Sequence, residues 1–411
     1  MNGSRSIDST VVFILAALFA CSIALASGSG GENDWPRWRG QNSDSKSLAE
    51  GVFKEGYGLK VSWKKPLGSG YSSISIADGH AVTMFSDSTF DYVISLDAET
   101  GAEQWRYKID STYVGHDGSH NGPNSTPVID DGKVFALGPK GHLLALGLES
   151  GEKIWSDNIA TGHSSVAPFH GYTTSPLIKG EVLVVETGGP GNTISGFNKN
   201  TGKLMWATGT DTVNYQSPIT INFDGQDQLV CVGDKYLYGL NPQNGEMYWQ
   251  YHHNGGRQTI NPVLIGSNKL FLNASDREAT LVEIDKDGDE FIVKELWKTR
   301  ETSRTFNTPV YHDGNLYSYT ARFMVSLNAE TGASNWKSRP PGYGFMILVD
   351  DHLVTITNRG SLHVVKAVPD SYQEVASLQL FDGLTWTPTS FANGKIYARN
   401  FTEIAAVEVV P

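Results

Sequence analysis

Histidines, aromatic rings and amides recur in the irregular stretches of this chain, and such side chains can bind or transform a small molecule. Tyr71, His116, Asp117, His120 and Asn124 come first, then His163, His170 and Tyr172. Tyr215 and Gln216, Arg257 and Asn261, Arg304 and Phe306, and finally Tyr343 and Trp386 follow. Rings beside amides suit a flat or sugar-like ligand held in a concavity. A second series is basic: Lys140, Lys235, Arg277, Arg322, Arg359 and Arg399 each fall in or beside a short polar turn. Guanidinium groups offer forked hydrogen bonds to carboxylates, so this series points to an anionic ligand or an acidic peptide. Bond-making chemistry has less support. The chain contains no G-x-S-x-G, no H-E-x-x-H and no phosphate-binding glycine loop, so no catalytic residue is nominated. His252 and His253 are neighbours on a strand and point to opposite faces, which does not make one metal site. Asp285-x-Asp287-Gly288-Asp289 evokes a calcium loop, but its glycine is misplaced and its twelfth position is Leu296; an extended turn is expected there, and no metal ligand is assigned.

The elements that must position these residues are repeats. Five turns end in glycine with tryptophan four residues later: Gly101 with Trp105, Gly151 with Trp155, Gly202 with Trp206, Gly245 with Trp249, and Gly332 with Trp336. A sixth, stretched copy runs from Asp285 to Trp297. These tryptophans are separated by 50, 51, 43, 48 and 39 residues, the spacing of four-stranded propeller blades. In the Asp/Asn-x-x-Thr-Gly form of the turn, the acid or amide bonds backbone N–H groups and glycine supplies positive φ. The tryptophan then opens the outer strand, where its ring can cover the seam with the next blade. A Thr/Ser/Asn-Pro step leads into the inner strands, at Thr126-Pro127, Ser175-Pro176, Ser217-Pro218, Asn261-Pro262 and Thr308-Pro309. Proline is tolerated at strand beginnings. Two weaker blades follow. The first lacks its tryptophan and the last ends after three strands. The orphan strand Val61-Ser62-Trp63-Lys64-Lys65 would complete that last blade and remove exposed sheet edges. The expected fold is therefore all-β, an eight-bladed β-propeller closed by an N-terminal strand. Trp63, Trp105, Trp155, Trp206, Trp249, Trp297 and Trp336 are its expected blade-docking residues.

Arg5 precedes an apolar run from Val11 to Ala26 that ends in Ala24-Leu25-Ala26, which reads as a signal peptide over residues 1–26. A lipoprotein signal at Cys21 competes with it, through Leu18-Phe19-Ala20-Cys21. Residues 27–60 read as an extended segment and 61–411 as the propeller. The product is expected to be exported, periplasmic or secreted, with no transmembrane segment in the mature chain. The competing signal would instead anchor it to the outer membrane by a lipid. Cys231, in an apolar strand, is expected to be buried and unreactive. The formal charge of −12 argues against nucleic acid as a partner, because phosphate backbones select basic surfaces.

The Asp/Asn-x-x-Thr-Gly-x-x-x-Trp repeat resembles the tryptophan-docking motif of pyrroloquinoline quinone (PQQ)-type propellers, and the likeness covers nearly all of residues 34–411. Asp34-Trp35-Pro36-Arg37-Trp38-Arg39-Gly40 also looks like the N-terminal signature of such proteins. The resemblance implies one of two branches. Quinoprotein dehydrogenases oxidise alcohols or sugars with PQQ and calcium in the central funnel. Cofactor-free relatives include the propeller component B of the outer-membrane β-barrel assembly machinery. The chain lacks the adjacent cysteines of the alcohol-oxidising enzymes and the C-x-x-C-H haem motif, and no calcium ligands carry over. The leading expectation is a non-catalytic binding or assembly scaffold in the cell envelope. A PQQ-dependent dehydrogenase with calcium is the alternative, and a carbohydrate- or polymer-binding propeller a third.

In a propeller, the loops leading into the inner strands and the turns between second and third strands share the funnel face. The expected ligand-binding residues there are His120, Asn124, His170, Tyr215, Asn261, Arg277, Arg304, Arg322, Tyr343, Arg359, Trp386 and Arg399. The expected partner is an envelope protein or a small anionic ligand. Asp97, Glu99, Glu149, Asp285, Asp287 and Glu330 fall in turns of the opposite face, so a propeller basic on one face and acidic on the other is anticipated.

Overall fold

The computed structural model describes residue 1, residue 31 and residues 33–253, 260–273, 278–303 and 305–411. The anticipated signal peptide beyond Met1, Cys21, Arg257, Arg277 and Arg304 lie outside them. Among the described residues, thirty-two strands form eight four-stranded antiparallel sheets, and each sheet pairs strands consecutive in sequence except the last. Blades 1 to 7 begin at the inner strands Ser75–Ala77, Val128–Asp130, Leu177–Lys179, Ile219–Phe223, Val263–Ile265, Val310–His312 and Gly344–Val349. Blade 8 takes Ser390–Ala392, Lys395–Arg399 and Glu403–Val410 from the C-terminus and its outer strand, Gly58–Pro66, from the N-terminus. That pairing closes the ring as expected.

The repeat residues act at the seams between blades. Asp97 Oδ1 accepts from Thr100 N (2.7 Å) and Thr100 Oγ1 (2.6 Å), and Asn198 and Asn328 do the same for Thr201 and Thr331. The glycine that follows has two reasons to lack a side chain. Gly101 sits at φ 69°, and a Cβ built on it would stand 2.6 Å from the Trp63 ring of the preceding blade. The indole N–H then fixes the ring, donating from Trp105 to Leu148 O (2.6 Å) and from Trp155 to Lys199 O (2.8 Å). Trp63 reaches Ala98 O in the same way, and Trp336 reaches Val368 O. Trp249 differs, donating within its own blade to Gln228 Oε1. Blade 7 has Ala376 opposite Val364 where other blades place tryptophan.

The Thr/Ser/Asn-Pro steps do more than admit proline. An inner strand has no neighbour on the channel side, so its leading N–H groups need partners. Ser73 N donates to Thr126 Oγ1, Thr126 N to Ser175 Oγ and Ser175 N to Ser217 Oγ, at 2.8–3.0 Å. Asn261 N donates to Thr308 Oγ1. The residue before proline therefore links neighbouring blades around the channel.

The N-terminal segment closes that channel from the face opposite the funnel. Trp35 exchanges both backbone hydrogen bonds with Ile76 of blade 1, and Ile129 N of blade 2 donates to Pro36 O. Ser47 N and Ser45 O pair with Leu348 of blade 7, while Asn393 N of blade 8 reaches Asn33 O. Trp35 is buried, with Gly40 against its ring. Arg37 Nη1 also reaches Ile178 O of blade 3 and Arg39 Nη1 reaches Pro262 O at the entry to blade 5, both at 3.5 Å, so the plug touches opposite sides of the ring.

Candidate functional site

On the funnel face the loops leading into the inner strands enclose a cavity of about 640 Å³, in the range of small-molecule sites. Trp38, carried by the plug, lines it together with residues from the loops around the ring. Two aromatic walls face it. On one side His120 stacks on Phe401 (3.8 Å between ring centroids, 14° between planes), with Tyr71 edge-on to the same ring. Tyr71 Oη accepts from His120 N (2.9 Å), and burial pushes the Tyr71 phenol above its usual pKa. His170 lies 5.5 Å from Tyr215, and its carbonyl accepts from Asn124 Nδ2. The other wall is Trp386 against Phe345, Tyr343 and Phe306.

Of the expected binding residues, His120, Asn124, His170, Tyr215 and Trp386 meet at this cavity. Tyr343 stands behind Trp386, and its hydroxyl accepts from Phe306 N. Asn261 is a strut, donating from Nδ2 to Ser217 O. The basic turns behave differently. None of the described members of the series lines the cavity. Lys140 pairs with Asp110 at 3.2 Å, while Lys235, Arg322 and Arg359 are exposed. Arg399 is fully buried and spent on the seam between the last blade and the first, donating to Met84 O (2.6 Å) and Gly68 O (2.8 Å). It is the last residue of a strand, so the strand phase, not the turn, directs its side chain. On the opposite face Glu99 pairs with Lys395, Asp285 with Lys294, and Glu149 lies 3.3 Å from His80. The Asp285 segment is the end of a long hairpin, Ala279–Asp287 with Glu290–Thr299. His252 is exposed and His253 buried. Cys231 is buried, and its thiol is held protonated by burial.

Trp38, Tyr113, Thr173, Ser175, Ser217, Phe345 and Pro388 also line the cavity, although their types and spacing do not mark them as ligand contacts. Ser175 and Ser217 belong to the proline steps, so that repeat already pointed to the channel wall. Trp38 lay in plain view in the N-terminal signature, but nothing local to it indicates that it forms a floor.

A quinone bearing three carboxylates needs cations. Among the described lining residues Asp117 is the sole carboxylate or basic side chain apart from two histidines, and no lysine or arginine is present. No group of three His, Cys, Asp or Glu suited to a metal occurs among the described residues. The described lining does not fit PQQ with calcium.

Three overlapping matches to the family model for outer membrane protein assembly factor BamB cover residues 60–167, 165–338 and 226–368. BamB of Burkholderia pseudomallei (strain K96243) is 30% identical over 205 residues, 48% of this chain and 47% of that protein. The dehydrogenase subunit of the quinone alcohol dehydrogenase of Acetobacter aceti is 29% identical over 143 residues, 33% of this chain and 19% of that protein. The chain thus spans less than half the length of either. In three dimensions it matches BamB of Moraxella catarrhalis at a TM-score of 0.62 and 16% identity, over 85% of this chain and 98% of that one. It matches the quinohemoprotein alcohol dehydrogenase of Comamonas testosteroni at 0.64 and 12%, over 92% and 80%. The chain belongs to the PQQ-like propeller family of BamB, and is related to the quinoprotein dehydrogenases that share its fold.

Proposed function

We propose that the chain is a non-catalytic binding or assembly scaffold, exported to the cell envelope, that works through its funnel face. The observation that carries this reading is the funnel itself: two aromatic walls over a closed floor, with no described cation for a quinone carboxylate. Its family relationship to an outer membrane protein assembly factor supports a protein partner. So does the rim, where Val114, Val166, Phe169, Phe306 and Leu384 are exposed on the funnel-face loops; apolar groups gathered around a concavity favour association. Site-specific photo-crosslinkers at Phe169 and Phe306, compared with one at Glu330 on the opposite face, test the reading in intact cells. Discrete adducts from the funnel face alone support it, and equal labelling from both faces contradicts it. The relationship to a quinone alcohol dehydrogenase favours a second reading, a PQQ-dependent oxidoreductase, which requires cations outside the described lining. The aromatic walls are equally suited to stacking on sugar rings.

A further inference from the structure

Beneath the funnel floor, between the plug and blades 6, 7 and 8, lies a second cavity of about 30 Å³. Four residues lining it bring buried polar atoms that have no hydrogen-bond partner: Trp38 Nε1, Arg39 Nη2, Asn307 Nδ2 and Thr389 Oγ1. Three of the four are obligate donors. The amide orientation of Asn307 is fixed independently, because its Oδ1 accepts from Met346 N at 3.0 Å. The other nitrogens of Arg39 are engaged, Nε with Ser45 Oγ at 2.9 Å and Nη1 with Pro262 O at 3.5 Å. No carboxylate lines the cavity, and Arg39 makes no ion pair within 4.0 Å among the described residues. The charge of Asp44 raises the Arg39 pKa, but burial outweighs it and lowers that pKa to about 10.

Leaving such donors empty is expensive, at about 1–3 kcal/mol for each buried unsatisfied group. A single water accepts two hydrogen bonds and must place two protons of its own, which a donor-lined chamber does not receive well. An anion accepts from all four and neutralises the guanidinium. We infer that this chamber is a binding site for one small monovalent anion of halide size, held by Arg39, Trp38, Asn307 and Thr389. Arg39 and Trp38 come from the plug, whereas Asn307 and Thr389 come from blades 6 and 8, so the ion ties the N-terminal segment to the ring.

Crystals grown in sodium bromide give the direct test, through anomalous scattering at the bromine edge. A peak is expected within hydrogen-bonding distance of Arg39 Nη2 and Asn307 Nδ2. In solution, the thermal midpoint should rise saturably with bromide or chloride when sodium gluconate holds the ionic strength constant. Arg39→Met should abolish that dependence. Should Arg39→Met not fold, Asn307→Asp keeps the acceptor for Met346 N and places a carboxylate against the ion. It should weaken the apparent halide affinity by about tenfold or more, the loss of one charge-assisted hydrogen bond. A chamber holding only water in the bromide crystal, with midpoints equal in bromide and gluconate, overturns the inference.

Discussion

Glu186 ends the second strand of blade 3, fully buried against blade 4, and its one hydrogen bond is the N–H of Val232 to Oε1 at 3.1 Å. Its other oxygen has no partner. Burial raises its pKa from 4.5 to about 8, because an ionised carboxylate there would be stripped of water without a counter-charge. The folded protein therefore keeps Glu186 protonated at pH values where the unfolded chain has already released the proton. With the folded pKa above the unfolded one, this contribution is fully present below pH 4.5 and is lost as pH rises towards 8. A tenfold change in proton affinity is worth about 1.4 kcal/mol, so roughly 4–5 kcal/mol disappears across that window. Glu186→Gln removes the titration and keeps an oxygen for Val232 N–H. Denaturant midpoints measured from about pH 5 to about pH 8 should show the variant gaining on the wild type with each step, with most of the difference present at the alkaline end. Parallel pH curves for the two proteins would refute the reasoning, since they would mean that Glu186 is ionised in the fold.

Gly101→Ala forces a Cβ to 2.6 Å from the Trp63 ring at a positive φ; thermal unfolding should show a loss of over ~1 kcal/mol, beginning at the closing seam. Trp105→Ala removes a buried ring and its bond to Leu148 O, and should cost about 3–5 kcal/mol by denaturant titration. Arg399→Met leaves Met84 O and Gly68 O without their donor, with an expected loss of about 2–3 kcal/mol. Arg399→Lys should recover little of it, because one ammonium does not span both carbonyls; full recovery by lysine would contradict the assignment.

The propeller was legible because its blades repeat local chemistry. A turn acid or amide bonding Thr100 or Thr331, a glycine at positive φ and a tryptophan four residues on are all set within a few residues, and so survive in one dimension. Closure through Trp63 was equally readable, since an unpaired strand at one end matched a missing strand at the other. The aromatic residues of the funnel were legible as loop residues, and His120, Asn124, His170, Tyr215 and Trp386 do converge. What escaped was directional or non-local. Arg399 looked like a turn residue, but strand phase points it into a seam. Lys140 looked available, but Asp110, on the outer strand of the preceding blade, holds it. Arg39 and Trp38 looked like a family signature, and their place across the channel depends on partners more than two hundred residues away, among them Pro262 at one end and Leu348 with Ser47 at the other.

The described lining of the funnel offers aromatic rings and no lysine or arginine for a carboxylated quinone. Titrating the full-length protein with PQQ and calcium, followed by calorimetry and by dye-linked oxidation of alcohols and sugars, tests that claim most directly. The proposed scaffold role predicts no stoichiometric binding and no turnover. Tight one-to-one binding with oxidation of any of these substrates would contradict it and make the funnel an enzyme's active site.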